Sequence, residues 1–168
     1  MQDAPQPVAG LDPDVVERLG LLKLAADTQS STLNMAATSA YLAAYDIDAH
    51  QARALPVYRH KRDLMLATMD ATFPDGVGRT RPDGGLFVWL TFPEGLPTGS
   101  GQRFDAADFL ARVLLPEAGV AYVPGATFFP VTQEPNHARV SFSGVPDDRL
   151  VDGITRMGRL LHRELAGR

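Results

Sequence analysis

The hydrophobic pattern of this 168-residue chain changes once, at Phe73, and that change constrains the fold more than any other feature. Before Phe73 the apolar residues recur at helical spacing. After it they form short runs typical of strands, separated by turn residues and by further helical stretches. Helices that precede a mixture of strands and helices are typical of an α+β fold. We therefore predict a small, mostly antiparallel sheet with helices packed against it, preceded by a long helix.

The first part of the chain divides into three predicted helices. Asp12 and Pro13 begin the first one, because Asp caps a helix and Pro suits its first turn, and it runs to about Ala26. The long third helix is predicted over 47–73, where Pro56 leaves open a kink or a later start. The second helix carries apolar residues close to a 3.6-residue repeat, namely Leu33, Ala36, Ala37, Ala40, Tyr41 and Ala44.

The second part of the chain contains the predicted strands. Gly84 and Gly85 lead into a run of aromatic and aliphatic residues, and Asp105 is placed to cap a short helix. A final amphipathic helix closes the chain. The predicted ranges are strands over 86–92, 119–123 and 138–143, a loop over 93–101, and helices over 104–114 and 150–165.

Composition excludes several classes of protein. The net charge is −4, whereas nucleic-acid binding usually needs a basic face. There is no cysteine, which excludes disulfides and thiolate metal sites, and the four histidines lack ligand spacing, so we expect no metal site. No stretch approaches the roughly 18 apolar residues of a membrane span, and the first residues lack signal-peptide features. We expect a cytoplasmic protein that binds neither membrane nor nucleic acid.

Six short stretches, in this order and spacing, resemble one family. They are 21–27 (LLKLAAD), 31–33 (STL), 58–63 (YRHKRD), 81–89 (RPDGGLFVW), 119–125 (GVAYVPG) followed by Phe128, and 139–143 (RVSFS). The family is the class I/II aminotransferases of fold type I, and within it the branch of 2-aminoadipate and kynurenine aminotransferases. The resemblance implies the small C-terminal domain of fold type I pyridoxal-phosphate enzymes over 10–168. Within it, 46–73 is a helix of the kind that connects domains, and 1–9 is an N-terminal arm.

The resemblance also implies which residues contact a substrate. In the family the arginine at the position of Arg139 binds the substrate α-carboxylate, and a guanidinium can do so through two parallel charge-assisted hydrogen bonds. A solvent-facing or ion-paired structural arginine is the alternative. Gly84 and Gly85 resemble a segment that passes close to the substrate, although a plain turn explains them equally well. Phe87 and Trp89 are expected in the core.

The resemblance implies pyridoxal 5′-phosphate as cofactor. Aminotransfer needs a lysine that forms a Schiff base with it, and in the family that lysine lies N-terminal to the matched region. Lys23 aligns with a helix lysine that is not catalytic. Lys61, beside His60 and two arginines, is typical of a solvated charge. We therefore expect the covalent attachment site to be absent and assign no catalytic, cofactor-binding or metal-binding residue.

Two functions remain open. In the first, the chain is the C-terminal portion of an aminotransferase. It binds the carboxylate of an amino acid or 2-oxo acid through Arg139, is inactive alone, and pairs with a large cofactor-binding domain or in a homodimer. In the second, it is a non-catalytic carboxylate-binding or assembly module derived from that domain.

Overall fold

The structure, a computed structural model, describes residues 12–93 and 104–166. The arm predicted over 1–9 and most of the loop predicted over 93–101 lie outside these ranges. Contacts divide the chain into two compact units, Met1–Gln51 and Ala52–Arg168.

The first unit contains two capped helices and the start of a third. Helix α1 spans Pro13–Ala26, and the Asp12 side chain accepts a hydrogen bond from the backbone N–H of Asp14 at 2.9 Å. Helix α2 spans Thr32–Ala44 and begins after Ser31, whose side chain caps it. Neither helix contains a buried residue. Both predicted helices are confirmed. Their beginnings could be predicted because capping residues identify where a helix starts.

Helix α3 spans Ile47–Thr72 and continues through Pro56. A start after Pro56 is therefore wrong. The end of α3 lies in the second unit, where Met65, Leu66 and Met69 are buried. These three residues recur at the helical spacing that places side chains on one face.

The second unit is built around a four-stranded sheet in the order β1-β2-β4-β3, and every neighbouring pair is antiparallel. The predicted antiparallel sheet is confirmed. Strand β1 was not predicted, because two residues are too few to show an alternating pattern. The strands are β1 (Gly78–Arg79), β2 (Phe87–Thr91), β3 (Val123–Pro124) and β4 (His137–Ser141).

Two helical segments complete the second unit. Helix α4 spans Ala106–Phe109 and begins after Asp105, which accepts from the backbone N–H of Ala107 at 2.8 Å. It continues as a π-helical segment over Leu110–Ala118, which ends where Gly119 adopts a left-handed φ of 62°. Helix α5 spans Asp147–Ala166.

The core of the second unit lies on one face of the sheet. Strand residues Val88, Leu90, Ala138 and Val140 are buried together with side chains from the helices. Burial of each large apolar side chain contributes on the order of 1.5–3 kcal/mol. The helical and loop residues with the largest fully buried side chains are Met65, Met69, Phe92, Phe104, Phe109, Leu114, Phe142, Met157 and Leu161.

The strand predicted over 119–123 is mostly wrong. Only Val123 and Pro124 pair with β4. Gly119 ends the π-helical segment, and the buried hydroxyl of Tyr122 donates to the carbonyl oxygen of Ala106 at 2.6 Å. This side-chain hydrogen bond anchors the segment, which lacks the backbone hydrogen bonds of a strand over 119–122. Burial raises the pKa of Tyr122, and the nearby charge of Asp105 adds to the effect.

Candidate functional site

The outer face of the sheet, opposite the core, carries most of the polar and aromatic side chains of β2 and β4. Successive side chains of a strand point to opposite faces, and cross-strand partners share a face. The register pairs Phe87 with Ser141, Trp89 with Arg139, and Thr91 with His137. Val88, Leu90, Ala138 and Val140, the residues in between, are buried in the core. The alternation therefore places Arg139 on the outer face.

The guanidinium of Arg139 contacts two aromatic rings. Its central carbon lies 4.2 Å from the ring centroid of Phe87 and 4.9 Å from that of Phe128. A guanidinium this close to a ring face gains about 0.5–2 kcal/mol, more where water is excluded. The rings fix the plane of the group without using its N–H donors.

No ion pair neutralises Arg139 within the described ranges, where no carboxylate lies within 4.0 Å of it. Its Nε atom is buried and has no hydrogen-bond partner among the residues that the structure describes. A buried donor left unpaired costs about 1–3 kcal/mol. An incoming carboxylate would be bound by the two Nη groups at the outer end of the guanidinium, which supply the parallel donors of a bidentate arginine site.

His137, two residues before Arg139, is 8% exposed and makes polar contacts with three side chains. The indole N–H of Trp89 donates to its Nδ1 at 3.1 Å, and the Thr91 hydroxyl lies at the same distance from that nitrogen. Its Nε2 lies 2.9 Å from a carboxylate oxygen of Glu134. A Cβ at Gly125 would lie 2.8 Å from the carbonyl carbon of His137, so only glycine fits where that turn covers the histidine.

Trp89 connects His137 to the rings around Arg139. Its ring lies beside that of His137, with centroids 5.6 Å apart and planes at 26°. It also contacts Phe128, edge-on at 5.6 Å. Phe128 belongs to the 3₁₀ turn Gly125–Phe128. A continuous set of contacts therefore runs from His137 through Trp89 and Phe128 to Arg139.

The expectation that Phe87 and Trp89 belong to the core is wrong. Both lie on the outer face, and Phe87 is 41% exposed. All four residues of 87–90 are apolar, so the strand itself does not reveal which face meets the helices. The signal lies in β4, where His137, Arg139 and Ser141 alternate with apolar residues.

Gly84 and Gly85 lie in the turn that precedes β2. Gly85 has a φ of 80°, in the left-handed region that favours glycine. Both glycines line a cavity of about 250 Å³ together with Tyr58, Arg59 and other residues. Arg139 is not among the residues that line it. The glycines therefore lie before β2, whereas Arg139 lies on β4, opposite Trp89.

Both lysines are engaged in ion pairs. Lys23 contacts Asp27, the residue that follows α1, at 2.6 Å. Lys61 donates to the carbonyl oxygen of Val145 at 2.6 Å and to Asp147 at 2.9 Å, and its side chain is only 15% exposed. The interpretation of Lys61 as a solvated charge is wrong, because this lysine joins α3 to the beginning of α5.

The described ranges contain no group of three or more His, Asp or Glu side chains that could hold a metal ion. Within the same ranges, no helix combines the length and the apolar character needed to cross a membrane.

Comparison with known proteins identifies similar chains. No family model matches the sequence. The aromatic-amino-acid aminotransferase 1 of Thermococcus litoralis is 31% identical over 157 residues, which cover 92% of this chain and 34% of the relative. The chain therefore spans about a third of the length of that relative.

Two solved structures share the fold. The alpha-aminoadipate aminotransferase of Thermus thermophilus, solved with N-(5′-phosphopyridoxyl)-L-leucine, superposes with a TM-score of 0.72 at 30% identity over 94% of this chain and 38% of its own. The multiple substrate aminotransferase of Thermococcus profundus gives a TM-score of 0.75 at 29% identity over 93% and 36%. All of these relatives are aminotransferases, and the fold expected from the resemblance is confirmed.

Proposed function

This chain is a homologue of the C-terminal part of fold type I pyridoxal-phosphate-dependent aminotransferases, and on that premise we propose that it supplies their substrate carboxylate site through Arg139. The substrate would be an amino acid or the corresponding 2-oxo acid. The chain would not transfer amino groups alone, because the Schiff-base lysine would come from outside these 168 residues.

The observation that carries this proposal is the state of Arg139. Its guanidinium contacts Phe87 and Phe128, its Nε is buried without a partner, and no carboxylate neutralises it within the described ranges. A structural arginine of a folded domain is usually paired when it is partly buried. An arginine whose plane is fixed and whose donors are free is suited to a carboxylate ligand.

We propose that pyridoxal phosphate is attached outside this chain. A Schiff base needs a lysine with a free amine, whereas Lys23 and Lys61 are both hydrogen-bonded to carboxylates. The cofactor, when bound elsewhere, supplies the electron sink of aminotransfer. The role left to this chain is to orient the substrate by its carboxylate.

The exposed apolar surface of the first unit supports the proposal of a protein partner. Helices α1 and α2 contain no buried residue, and several of their large apolar side chains are more than half exposed. Apolar surface of this extent usually meets another protein surface. We assign it to a large cofactor-binding domain, in the same polypeptide or in another, or to a second copy of the chain. The side chains are Leu19, Leu21, Leu22, Leu24, Leu33, Met35, Tyr41, Leu42 and Tyr45.

The test is a nuclear magnetic resonance titration of the chain with pyruvate, which carries the carboxylate of a 2-oxo acid. Arg139→Lys and Arg139→Ala should weaken binding by about 10- to 100-fold, because each loses the bidentate pair. Arg112→Ala is the matched control, since Arg112 is exposed and pairs only with Asp108 within the described ranges.

Methyl pyruvate serves as the ligand control because it lacks the carboxylate. It should bind the wild-type chain no better than it binds Arg139→Ala. Pyruvate binding that survives both Arg139 substitutions would show that the carboxylate site lies elsewhere.

A further inference from the structure

We propose that His137 is a positioning residue for the Arg139 site. As a neutral imidazole with its proton on Nε2, it holds the indole of Trp89, and Trp89 holds the Phe128 ring over the guanidinium. The inference rests on the proposed function, since the site that it positions is the carboxylate site. It assigns a role to a buried polar group that the substrate itself does not contact.

The hydrogen-bond donors decide the tautomer of His137. An indole N–H can only donate, so Nδ1 must accept from Trp89. The carbonyl oxygen of Leu90 lies 3.3 Å from Nδ1 and could accept from it, but a proton there would face the indole N–H. The ring proton therefore lies on Nε2, where the carboxylate of Glu134 accepts it at 2.9 Å.

The surroundings of His137 fix its ring. A Cβ at Gly125 would overlap the main chain of His137, so that turn lies directly against this residue, and the Phe129 ring centroid lies 5.2 Å from that of the imidazole. The Thr91 hydroxyl contacts Nδ1 from β2. These contacts and the hydrogen bond to Glu134 hold the imidazole, and the imidazole in turn anchors the indole of Trp89.

Trp89 connects the anchored imidazole to Arg139 through the ring of Phe128. It is the cross-strand partner of Arg139, and its ring packs edge-on against Phe128. Phe128 is 46% exposed, so a large part of its ring lacks packing of its own. Aromatic contacts of this kind contribute about 0.5–1.5 kcal/mol, which is enough to select one ring position.

The experiment compares His137→Asn, His137→Gln and His137→Leu in the full chain, with the exposed His162→Leu as control. Asparagine keeps an acceptor near the position of Nδ1, glutamine keeps a polar group near Nε2 only, and leucine removes both. Trp89 is the sole tryptophan of the chain, so its indole ¹⁵N–¹H resonance needs no assignment. The Arg139 Nε–H resonance reports the ring currents of Phe87 and Phe128.

The leucine variant should shift both resonances and weaken pyruvate binding by roughly 2- to 10-fold. This is the change in binding that corresponds to the free energy of one aromatic contact. The asparagine variant should stay close to wild type, and His162→Leu should change nothing. If the leucine variant does not fold, the asparagine and glutamine variants form the comparison, with glutamine expected to shift both resonances.

Two results would overturn the inference. One is an Arg139 Nε–H resonance that stays at its wild-type position while that of Trp89 moves. The other is a histidine ¹⁵N spectrum with the proton on Nδ1. Failure of the proposed function is recognised separately, by pyruvate binding that does not depend on Arg139. The comparison of Arg139 Nε–H resonances tests the role of His137 in either case.

Discussion

Single side chains in this protein are positioned by different kinds of neighbours. Arg139 is held by aromatic rings and is left without an ion partner within the described ranges. Lys61 is held by a carboxylate and a carbonyl oxygen, and together with His60 it lowers the pKa of Asp147 by hydrogen bonding. One cation is therefore available to a ligand, whereas the other contributes to the fold.

The depressed pKa of Asp147 predicts a pH-dependent contribution to stability. A carboxylate whose folded pKa lies below its unfolded value of about 3.9 stabilises the fold above that value, and the contribution is lost as the pH falls through the folded pKa. Asp147→Asn should therefore lower the Tm at pH 7, and the difference from wild type should shrink as the pH falls below about 4.

Circular dichroism melts between about pH 7 and pH 2 would measure this difference. Asp148→Asn is the control, because it changes the neighbouring carboxyl group at the beginning of α5. A Tm for Asp147→Asn equal to that of wild type at neutral pH would contradict the assigned ion pair.

The sequence predicted the site only in part, for a physical reason. The motif at 139–143 indicated Arg139 as a ligand residue, but apolar residues at each position of 87–90 gave no indication of which face is buried. That assignment depends on the pairing of β2 with β4, a contact between distant parts of the chain. His137 and Phe128 could be joined to the site only after that pairing was known.

At the level of secondary-structure elements, the sequence predicted those features that depend on residues close together in the chain. Capping residues located the beginnings of α1, α2 and α4, and apolar spacing located α5. Two elements differ from these local predictions. Helix α3 continues through Pro56, and the segment over 119–122 is anchored by the Tyr122 hydroxyl and not by a strand ladder.

The contact of α5 with the end of α3 predicts opposite effects for two glycines of the same helix. A Cβ at Gly158 would lie 2.9 Å from the carbonyl carbon of Thr72, whereas at Gly153 the nearest atom is a Val120 methyl at an ordinary 3.5 Å. Gly158→Ala should destabilise the fold by about 1–3 kcal/mol because the helices must separate. Gly153→Ala should stabilise it by up to about 1 kcal/mol through helix propensity.

Urea unfolding of both variants would measure these free energies. If Gly158→Ala were as stable as Gly153→Ala, the close approach of α5 to Thr72 would be wrong.

At the level of the whole molecule, the sheet and its helices follow from the pattern of the sequence, whereas the proposed activity involves residues outside this chain. The chain spans about a third of the length of its relatives, and its first unit exposes apolar helix surface. The part of the proposal in which Arg139 binds the carboxylate while another segment binds the cofactor is therefore tested in an assembled enzyme.

The most direct measurement is the kcat/KM of a chimera in which this chain replaces the matched part of the Thermus thermophilus alpha-aminoadipate aminotransferase. We expect the chimera to bind pyridoxal phosphate and to transaminate. Arg139→Lys should lower kcat/KM by about 10- to 100-fold without changing the cofactor absorbance, while Arg112→Ala should change neither. A chimera that transaminates equally well with lysine or alanine at position 139 would contradict the assignment of Arg139 as the carboxylate-binding residue.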